Sequence, residues 1–527
     1  MKFLNKRMSE KAFFILLGIT FGLFCLFRAI TSLDNDMYFM IATGRDLLRD
    51  GFITSHPEHI NETLNFAPQQ WLYCIVLAVL NDANPWLLPL FVFAENILFY
   101  FLCFKFYKMK EMNNILCFLC VIFLSNIGNN YMMSVRPEVT TMILLMAEIL
   151  CFEYYKKNES KLSANYLLII GLPLLICLES NLHSSMLFMH YAIAMAYIVP
   201  IRFKGIKKDT VSLKGFIVIC TVLLMVNAMR LNPYGDDAVL YLPRALSAHT
   251  FDYIDITDMQ KPIIIFSPAT GVCIISGILL FLVFKFKAAK TVSFNMAIGC
   301  TLLPAMAFRN IFYGVFAFLY LSRDLFTNDT VTSVKIDWRK DIKRYWIVIY
   351  SIGIVVLSFM ILAGVPQLSG EARHKAVLSS ETYAGLCDVV DYLDEHASKT
   401  DNIFTGFGSG SYLEYKGYKH IYLDARPEIY TPGFTGIDDN ILADYSGYGD
   451  TGIRYEYGSM GRIKSMKILT DDDMAAWIDR NAFDYFIVSV SDEGNLYRYL
   501  ESRPDTFEFV FSKGYYRVYK AGDRGGS

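Results

Sequence analysis

Residues 12–27 read AFFILLGITFGLFCLF, an apolar run without a charged side chain, and the basic residues Lys6, Arg7 and Lys11 come just before it. A basic segment followed by an apolar run is typical of a signal peptide, but no small-residue cleavage site follows this one. We therefore predict an uncleaved first transmembrane helix. The chain then returns to a polar surface at Asp34-Asn35-Asp36.

The composition of the whole chain is that of a membrane protein. Of its 527 residues, 54% are hydrophobic and 19% are charged, whereas a soluble domain has about 25% charged residues. Further apolar segments lie at 86–104, 115–127, 139–154, 167–178, 186–199, 216–228, 263–284, 294–307, 311–321 and 345–365. They predict a polytopic α-helical membrane protein with about 11 transmembrane helices. The net charge of -2 provides no basic field for nucleic acid, which argues against nucleic-acid binding.

Clustered lysines and arginines determine the predicted orientation, because these residues are retained on the cytoplasmic side of a membrane. The clusters lie in alternate short loops, at 105–110, 156–161, 202–208, 285–290 and 335–344. This pattern predicts a multi-pass protein of the plasma (inner) membrane with a cytoplasmic N-terminus. It also requires that residues 70–80 do not cross the membrane. We predict that residues 70–80 and the amphipathic stretch 37–48 form surface helices on the outer face.

After residue 366 the chain changes character, since charged residues, glycines and short β-rich runs replace the long apolar segments. We therefore predict a transmembrane domain over residues 1–366 and a soluble domain over residues 367–527. Helical periodicity is present at 382–397, and strand-like runs lie at 402–404, 420–423, 485–490 and 507–511. These elements predict an α/β fold, and eleven crossings place the domain outside the cytoplasm.

Unusual polar residues gather in the loops that are predicted to face outward. The candidate site residues among them are Asp34, Asp36, Trp71, Arg136, Glu138, Asn181, His183, Arg230 and Arg309. An ionisable side chain at bilayer depth costs roughly 2.5 to 3.5 kcal/mol on insertion scales, so such groups normally serve a site or lie in a water-filled cavity. The sequence therefore predicts one external polar cavity.

Each of these residues also has a structural interpretation. An arginine at a helix end, such as Arg136 or Arg230, is often an anchor whose charge reaches the membrane interface. Asp34 and Asp36 would favour the start of the following helix, because carboxylates interact well with a helix N-terminus. His183 would pack at the interface. The gathering of all these groups on one predicted face favours a site.

Such a cavity suits the transfer of a group from a lipid phosphate. Asp36 or Asp34 would remove the proton from an acceptor hydroxyl as general base. Arginines hold a phosphate by bidentate, charge-assisted hydrogen bonds, and their charge stabilises the negative charge that develops on it. A lipid-linked donor would keep its phosphate at headgroup depth, where the cavity is predicted.

Several short motifs share a resemblance to one family. They are residues 34–44 (DNDMYFMIATG), 70–72 (QWL), 136–138 (RPE), 179–183 (ESNLH), 232–235 (NPYG), 410–413 (GSYL) and 424–428 (DARPE). Together they resemble the bacterial branch of the GT-C class of membrane glycosyltransferases. Protein O-mannosyltransferases, aminoarabinose transferases and oligosaccharyltransferases belong to this class.

The resemblance implies a GT-C-like fold and an inverting transfer of a sugar from a polyprenyl-phosphate donor. The extracytoplasmic acceptor would be an envelope glycan, a lipid or a protein. The general base would be Asp36 or Asp34, and a divalent cation such as Mg²⁺ or Mn²⁺, which takes part in some members of the class, would be held by the same two residues. The remaining candidates would bind the donor phosphate or substrate: Trp71, Arg136, Glu138, Asn181, His183, Arg230 and Arg309.

Two other classes of function stay open. A lipid or polysaccharide transporter would have inverted repeats, broken helices and ionisable groups at the membrane midplane. No repeat is evident in the sequence, and Glu95 and Glu148 are the acidic residues well inside predicted membrane segments. A non-catalytic envelope assembly protein would keep the fold without needing Asp36.

Overall fold

The computed structural model describes residues 10–31, 34–61, 63–127, 134–205, 213–247, 268–285, 291–306, 313–327, 385–436, 439–457 and 462–522, with a few single positions between these ranges. The chain divides into two compact units. Residues 1–33, 86–232 and 256–366 make the first, which we call the helical unit. Residues 34–85, 233–255 and 367–527 make the second, which we call the α/β unit.

The helices before residue 330 follow the apolar pattern of the sequence. The main ones are α1 (Glu10–Thr31), α2 (Asp36–Asp50), α3 (Trp71–Ala83), α4 (Leu87–Lys108), α5 (Asn114–Ile127), α6 (Glu138–Lys157), α7 (Leu162–Leu182), α8 (Leu187–Gly205), α9 (Leu213–Ala228), α10 (Pro268–Lys285), α11 (Thr291–Met306) and α12 (Gly314–Phe326). Apart from α2 and α3, all of them belong to the helical unit and lie on the first ten predicted membrane segments. The eleventh segment, 345–365, lies almost entirely outside the described residues.

Among the described residues, three helices are long and apolar enough to cross a membrane, namely Phe14–Thr31, Leu87–Lys108 and Leu162–Leu182. Most helices of the helical unit also expose large apolar side chains, among them Ile19, Leu98, Phe101, Leu174, Met195, Leu223 and Phe281. A bundle that exposes apolar side chains on its surface is suited to lipid and not to water. The prediction of a helical membrane protein is therefore confirmed. The number of crossings and their orientation stay predictions.

The helical unit has two chemically different ends, which α6 connects. Thr141, in the first turn of α6, contacts His183 just after α7. Near the other end of α6, Glu153 contacts Arg323 of α12. A helix rises about 1.5 Å per residue, so the two ends of this 20-residue helix are about 30 Å apart. We call them the polar end and the basic end.

Helices α2 and α3 lie against each other in the α/β unit. Residues 37–44 of α2 are buried, although the sequence predicts an amphipathic helix there. The two helices approach closely at Gly44, where an added Cβ atom would overlap the backbone carbonyl of Cys74. Helix α2 thus packs between protein elements. Its predicted position on a membrane surface stays untested.

The C-terminal region forms a mixed five-stranded sheet with the strand order β2-β1-β5-β7-β6. The strands that the structure describes in this region are β1 (Asn402–Phe404), β2 (His420–Ile421), β3 (Ile453–Tyr457), β4 (Ile463–Ile468), β5 (Tyr485–Ser489), β6 (Phe507–Lys513) and β7 (Tyr516–Ala521). Strand β1 is parallel to β2 and β5, and β7 is antiparallel to β5 and β6. Strands β3 and β4 form a separate antiparallel hairpin.

Four α-helices of six or more residues accompany this sheet in the described part of the region, namely α13 (Leu386–His396), α14 (Gly410–Tyr415), α15 (Asp471–Asn481) and α16 (Gly494–Glu501). The aromatic core beside the sheet includes Phe404, Trp477, Phe483 and Phe486, whose rings are in mutual contact. The predicted α/β fold of the C-terminal region is therefore confirmed. The helix predicted at 382–397 corresponds to α13. The four predicted strand runs correspond to β1, β2, β5 and β6.

A segment of the first loop completes the edge of the sheet. Ile421 of β2 donates its backbone N–H to Glu58 and accepts one from Ile60. His59 forms a parallel bridge to the same strand residue. This pairing explains why residues 34–85 belong to the same compact unit as the C-terminal region.

Candidate functional site

Asp34 and Asp36 lie at the start of α2 and are half-buried. The carboxylate of Asp34 accepts the backbone N–H of Asp36 at 2.9 Å, and Asn35 between them donates to the carbonyl of Gly408 at 3.2 Å. Asp34 thus stabilises the helix start, while Asp36 is the first helical residue. The structure brings the two predicted carboxylates together. Their catalytic role stays a prediction.

The two carboxylates also supply the ligand type that the implied divalent cation requires. Mg²⁺ is usually held by one or two carboxylates together with water and substrate phosphate, not by a complete protein cage. Asp34 and Asp36 are half-buried residues two positions apart, and a pair of carboxylates fits that kind of site.

Trp71 is the first residue of α3 and is also half-buried. Its ring contacts Phe52 with 5.3 Å between ring centroids, and Phe52 contacts Tyr234 at 6.0 Å. Phe52 is 58% exposed. The three rings form a partly exposed aromatic cluster in the α/β unit, and tryptophan and tyrosine are typical of surfaces where apolar and aqueous surroundings meet.

The polar end of the helical unit joins three of the predicted outer loops. His183 ends α7 and contacts the hydroxyl of Thr141 in α6 at 2.9 Å. Asn181 donates to the carbonyl of Leu231 at 2.9 Å, and Asn232 donates to the carbonyl of Ser180. The turns before α6, after α7 and after α9 therefore meet.

The remaining candidates of the helical unit lie beside this junction along the chain. Glu138 is buried as the first residue of α6. Arg136 precedes it and is half-buried, and Arg230 follows α9 and is exposed. Arg309 lies outside the described residues.

A chain of buried polar side chains leads from His183 into the bundle. Thr141 donates to Glu179 at 2.7 Å, and a threonine hydroxyl has only one proton, so His183 must donate to it from Nδ1. His190 lies 3.6 Å from Glu179 and 2.6 Å from Glu148. These residues are almost fully buried.

His190 and the partner of Glu148 could not be recognised from the sequence. A lone histidine within the apolar run 186–199 has no distinguishing spacing. Its partner is 42 positions away on another helix, so only the packing of α6 against α8 shows the pair. The other acidic residue of the membrane segments, Glu95, accepts a hydrogen bond from Thr140.

The α/β unit contains a second buried polar group, which we call the Arg426 cluster and define as Thr43, His56, Glu414, Asp424 and Arg426. The guanidinium of Arg426 donates to Asp424 through Nε at 2.9 Å, to Glu414 at 2.7 Å and to Thr43 at 3.1 Å. It also lies 3.0 Å from Nε2 of His56. All five side chains are at most 7% exposed.

The protonation of the Arg426 cluster follows from burial and from the arginine charge. Burial opposes ionisation of Asp424, but the charge of Arg426 outweighs it and holds the pKa of Asp424 well below its usual range. Burial raises the pKa of Glu414 well above its usual range, and burial with the nearby guanidinium lowers the pKa of His56. The cluster is thus a guanidinium–carboxylate pair with a neutral acid and a neutral imidazole.

His56, Glu414 and Asp424 offer three potential metal ligand atoms within 4.8 Å of one another. The guanidinium of Arg426 is within hydrogen-bonding distance of all three, so a cation already lies among them. A protonated Glu414 is also a poor metal ligand, because a carboxyl must lose its proton to bind a metal ion. Both observations argue against a metal site at these three residues. We assign the cluster to the folding of the α/β unit, where it joins α2 and the first loop to the C-terminal region.

Two buried glutamates make the stability of the α/β unit depend on pH. Burial and the carboxylate of Asp46 raise the pKa of Glu58 to about 8, and burial raises the pKa of Glu493 to about 8. A glutamate in an unfolded chain has a pKa of about 4.3. Between these values the folded protein binds more protons, so its stability falls as the pH rises.

We expect Glu58→Gln and Glu493→Gln each to reduce the loss of stability that accompanies rising pH. Below its folded pKa, each parent carboxyl lowers the free energy of unfolding by up to about 1.4 kcal/mol for each pH unit of increase. The double variant should therefore show the smallest decrease of the free energy of unfolding with pH. The measurement is the apparent free energy of unfolding between pH 7 and pH 8, above the range in which histidines of the unfolded chain titrate. Equal slopes in the parent and the double variant would contradict the assignment.

The comparisons with known proteins give a structural likeness but no match in sequence. No family model matches the chain, and no curated protein matches it. Among solved structures, an oligosaccharyltransferase from Archaeoglobus fulgidus, tethered to an acceptor peptide with the NVT sequon, is similar with a TM-score of 0.47 and 10% identity. The match covers 98% of this chain and 74% of that one. It concerns the course of the backbone and says nothing about individual side chains.

Proposed function

We propose that the protein is a membrane glycosyltransferase of GT-C type that moves a sugar from a polyprenyl phosphate to an extracytoplasmic acceptor. The observation that carries the proposal is the polar end of the helical unit, where His183 and Asn181 tie three turns together. Arg136 and Arg230 flank these turns in sequence. Buried polar residues of this kind are expensive in a membrane protein and are normally retained for a site.

In the proposed reaction, the acceptor hydroxyl oxygen forms a bond to the anomeric carbon of the sugar. The bond between that carbon and the phosphate oxygen breaks on the opposite face, so the configuration inverts. Asp36 takes the hydroxyl proton as general base. Arg136, Arg230 and Arg309 hold the polyprenyl phosphate that leaves, and their charge stabilises the negative charge that develops on it.

The other candidate residues have supporting roles in this proposal. Asp34 keeps the start of α2 in place through its bond to the backbone of Asp36. Asp34 and Asp36 would hold a Mg²⁺ or Mn²⁺ ion, which would supply further positive charge toward the phosphate. Trp71 would contact the sugar or its lipid, and Glu138, Asn181 and His183 would shape the donor site.

Conservative arginine variants test the donor site. A lysine keeps the charge but cannot reproduce a bidentate contact. We expect Arg→Lys at one or more of Arg136, Arg230 and Arg309 to lower kcat/KM for the donor by about tenfold or more, because a hydrogen bond to a charged group is worth about 1.5 to 3 kcal/mol. The measurement is the transfer rate against the concentration of polyprenyl-phosphate sugar.

Arg244→Lys is the matched control for this series. Arg244 is a partly exposed arginine that forms an ion pair with Asp237 at 2.6 Å and has no place in the proposed site. Parent-like kinetics in all three test variants would mean that the arginines are membrane anchors. In that case the donor-site assignment is wrong.

A second candidate function is a proton-coupled transporter of lipid or polysaccharide. It is favoured by the buried series Thr141, Glu179, His190 and Glu148, because chains of acidic residues and histidine form proton relays in transporters. The protein reconstituted in vesicles distinguishes the two functions. Proton movement that depends on substrate and is abolished by Glu148→Gln supports transport, whereas transfer of sugar without proton movement supports the glycosyltransferase.

A further inference from the structure

The basic end of the helical unit contains a cavity of about 280 Å³. Its lining residues are Met109, Lys110, Glu153, Lys156 and Lys157. Lys110 follows α4, and the other charged residues lie in the last turns of α6. One water molecule takes up about 30 Å³ in the liquid, so the cavity has room for a larger polar group.

One lining residue of this cavity, Glu153, belongs to a buried ion pair. The guanidinium of Arg323 lies 3.2 Å from the carboxylate of Glu153, and Tyr197 donates its hydroxyl to the same carboxylate at 2.8 Å. Glu153 and Arg323 are 4% and 2% exposed. Arg323 also lies 3.8 Å from the carboxylate of buried Asp324. Four cationic side chains therefore lie beside two acidic ones: Lys110, Lys156, Lys157 and Arg323 against Glu153 and Asp324.

The lysines are left with an excess of positive charge that faces the opening. The ammonium of Lys156 lies 4.0 Å from Glu153 and 5.4 Å from the centre of the Tyr197 ring, and all three lysines are exposed. Three ammonium groups around one cavity repel one another unless an anion lies between them. A phosphate group offers charged oxygen acceptors for several ammonium donors at once.

We propose that this cavity binds a phosphate group, either that of an anionic phospholipid or free inorganic phosphate. Basic pockets between membrane helices are suited to anionic headgroups, and each lysine near the membrane surface adds about 1 kcal/mol of attraction. The lining residues of α6 lie roughly 18 to 24 Å along the helix from Thr141 at the polar end, at a rise of about 1.5 Å per residue, so this site is separate from the proposed donor site and does not depend on the proposed function.

The test uses the full-length protein in neutral detergent. Native mass spectrometry measures the binding of phosphatidylglycerol and of zwitterionic phosphatidylcholine, and a thermal shift measures stabilisation by inorganic phosphate. The test variant is the triple substitution Lys110→Gln, Lys156→Gln and Lys157→Gln. The matched control is Lys105→Gln with Lys161→Gln, two exposed lysines near the same end that do not line the cavity.

We expect the parent and the control to bind phosphatidylglycerol or inorganic phosphate, and the triple variant to have an at least roughly tenfold higher Kd, given three lost charges. Preferential binding of phosphatidylglycerol identifies the lipid as the source of the phosphate. A shift by inorganic phosphate without lipid preference identifies the free ion. Binding by the triple variant equal to that of the parent, or no binding of either probe by the parent, would overturn the proposal.

Discussion

Asp36→Asn is expected to reduce sugar transfer by about 10²- to 10⁴-fold, the usual contribution of a positioned general base. Asparagine keeps the shape of the side chain but cannot take the acceptor proton. Asp36 is half-buried at the start of α2, and loss of its charge there costs only about 0.3 to 1 kcal/mol of helix stability. The rate of transfer from a polyprenyl-phosphate sugar should therefore collapse in a folded protein.

Asp34→Asn is expected to reduce sugar transfer less than Asp36→Asn does. Asp34 accepts the backbone N–H of Asp36, and an asparagine oxygen can accept the same bond. The rate of sugar transfer should therefore fall much less in Asp34→Asn than in Asp36→Asn. If both single variants and the double variant keep full activity, the two carboxylates only start a helix and neither is the base.

Arg426→Met is expected to destabilise the α/β unit by about 3 to 5 kcal/mol, because removing one partner of a buried ion pair leaves an uncompensated buried charge. The guanidinium contacts Asp424, Glu414 and Thr43 and also packs near the ring of Phe39, 4.8 Å from its centre. Methionine fills much of the space but satisfies none of these groups. The measurement is denaturant unfolding followed by aromatic fluorescence.

Arg503→Met is the control for Arg426→Met, because it breaks an exposed ion pair instead of a buried one. Arg503 and Asp471 lie 2.5 Å apart with side chains 31% and 77% exposed, and such pairs contribute about 0 to 1 kcal/mol. A failure of Arg426→Met to fold would agree with the prediction. A loss no larger than that of Arg503→Met would show that the Arg426 cluster does not hold the unit together.

The helices of the membrane part could be predicted from the sequence because apolar runs are a local signal. The run 12–27 lies within α1, and the run 86–104 begins one residue before α4 and otherwise lies within it. The surface helix predicted at 37–48 has the observed position, Asp36–Asp50. Its burial could not be predicted, since it depends on α3 and on α14, which lies more than 350 residues further along the chain.

The candidate site was predictable only in part for the same physical reason. Outer-loop residues such as His183 and Asn181 were recognisable as polar groups between apolar runs. The partners that bury His56 lie about 370 residues away, and the pairing of His190 with Glu148 spans two helices. Contacts between residues so far apart leave no characteristic spacing in the sequence. Only the packing of the folded chain shows them.

The most direct test of the glycosyltransferase proposal is mass spectrometry of lipid-linked sugars in cells that lack the protein. The account predicts that one polyprenyl-phosphate sugar accumulates while its sugar disappears from an envelope glycan, lipid or protein. The parent gene should reverse both changes, and the gene carrying Asp36→Asn should reverse neither. Unchanged lipid-linked sugars and unchanged envelope sugars in these cells would contradict the account.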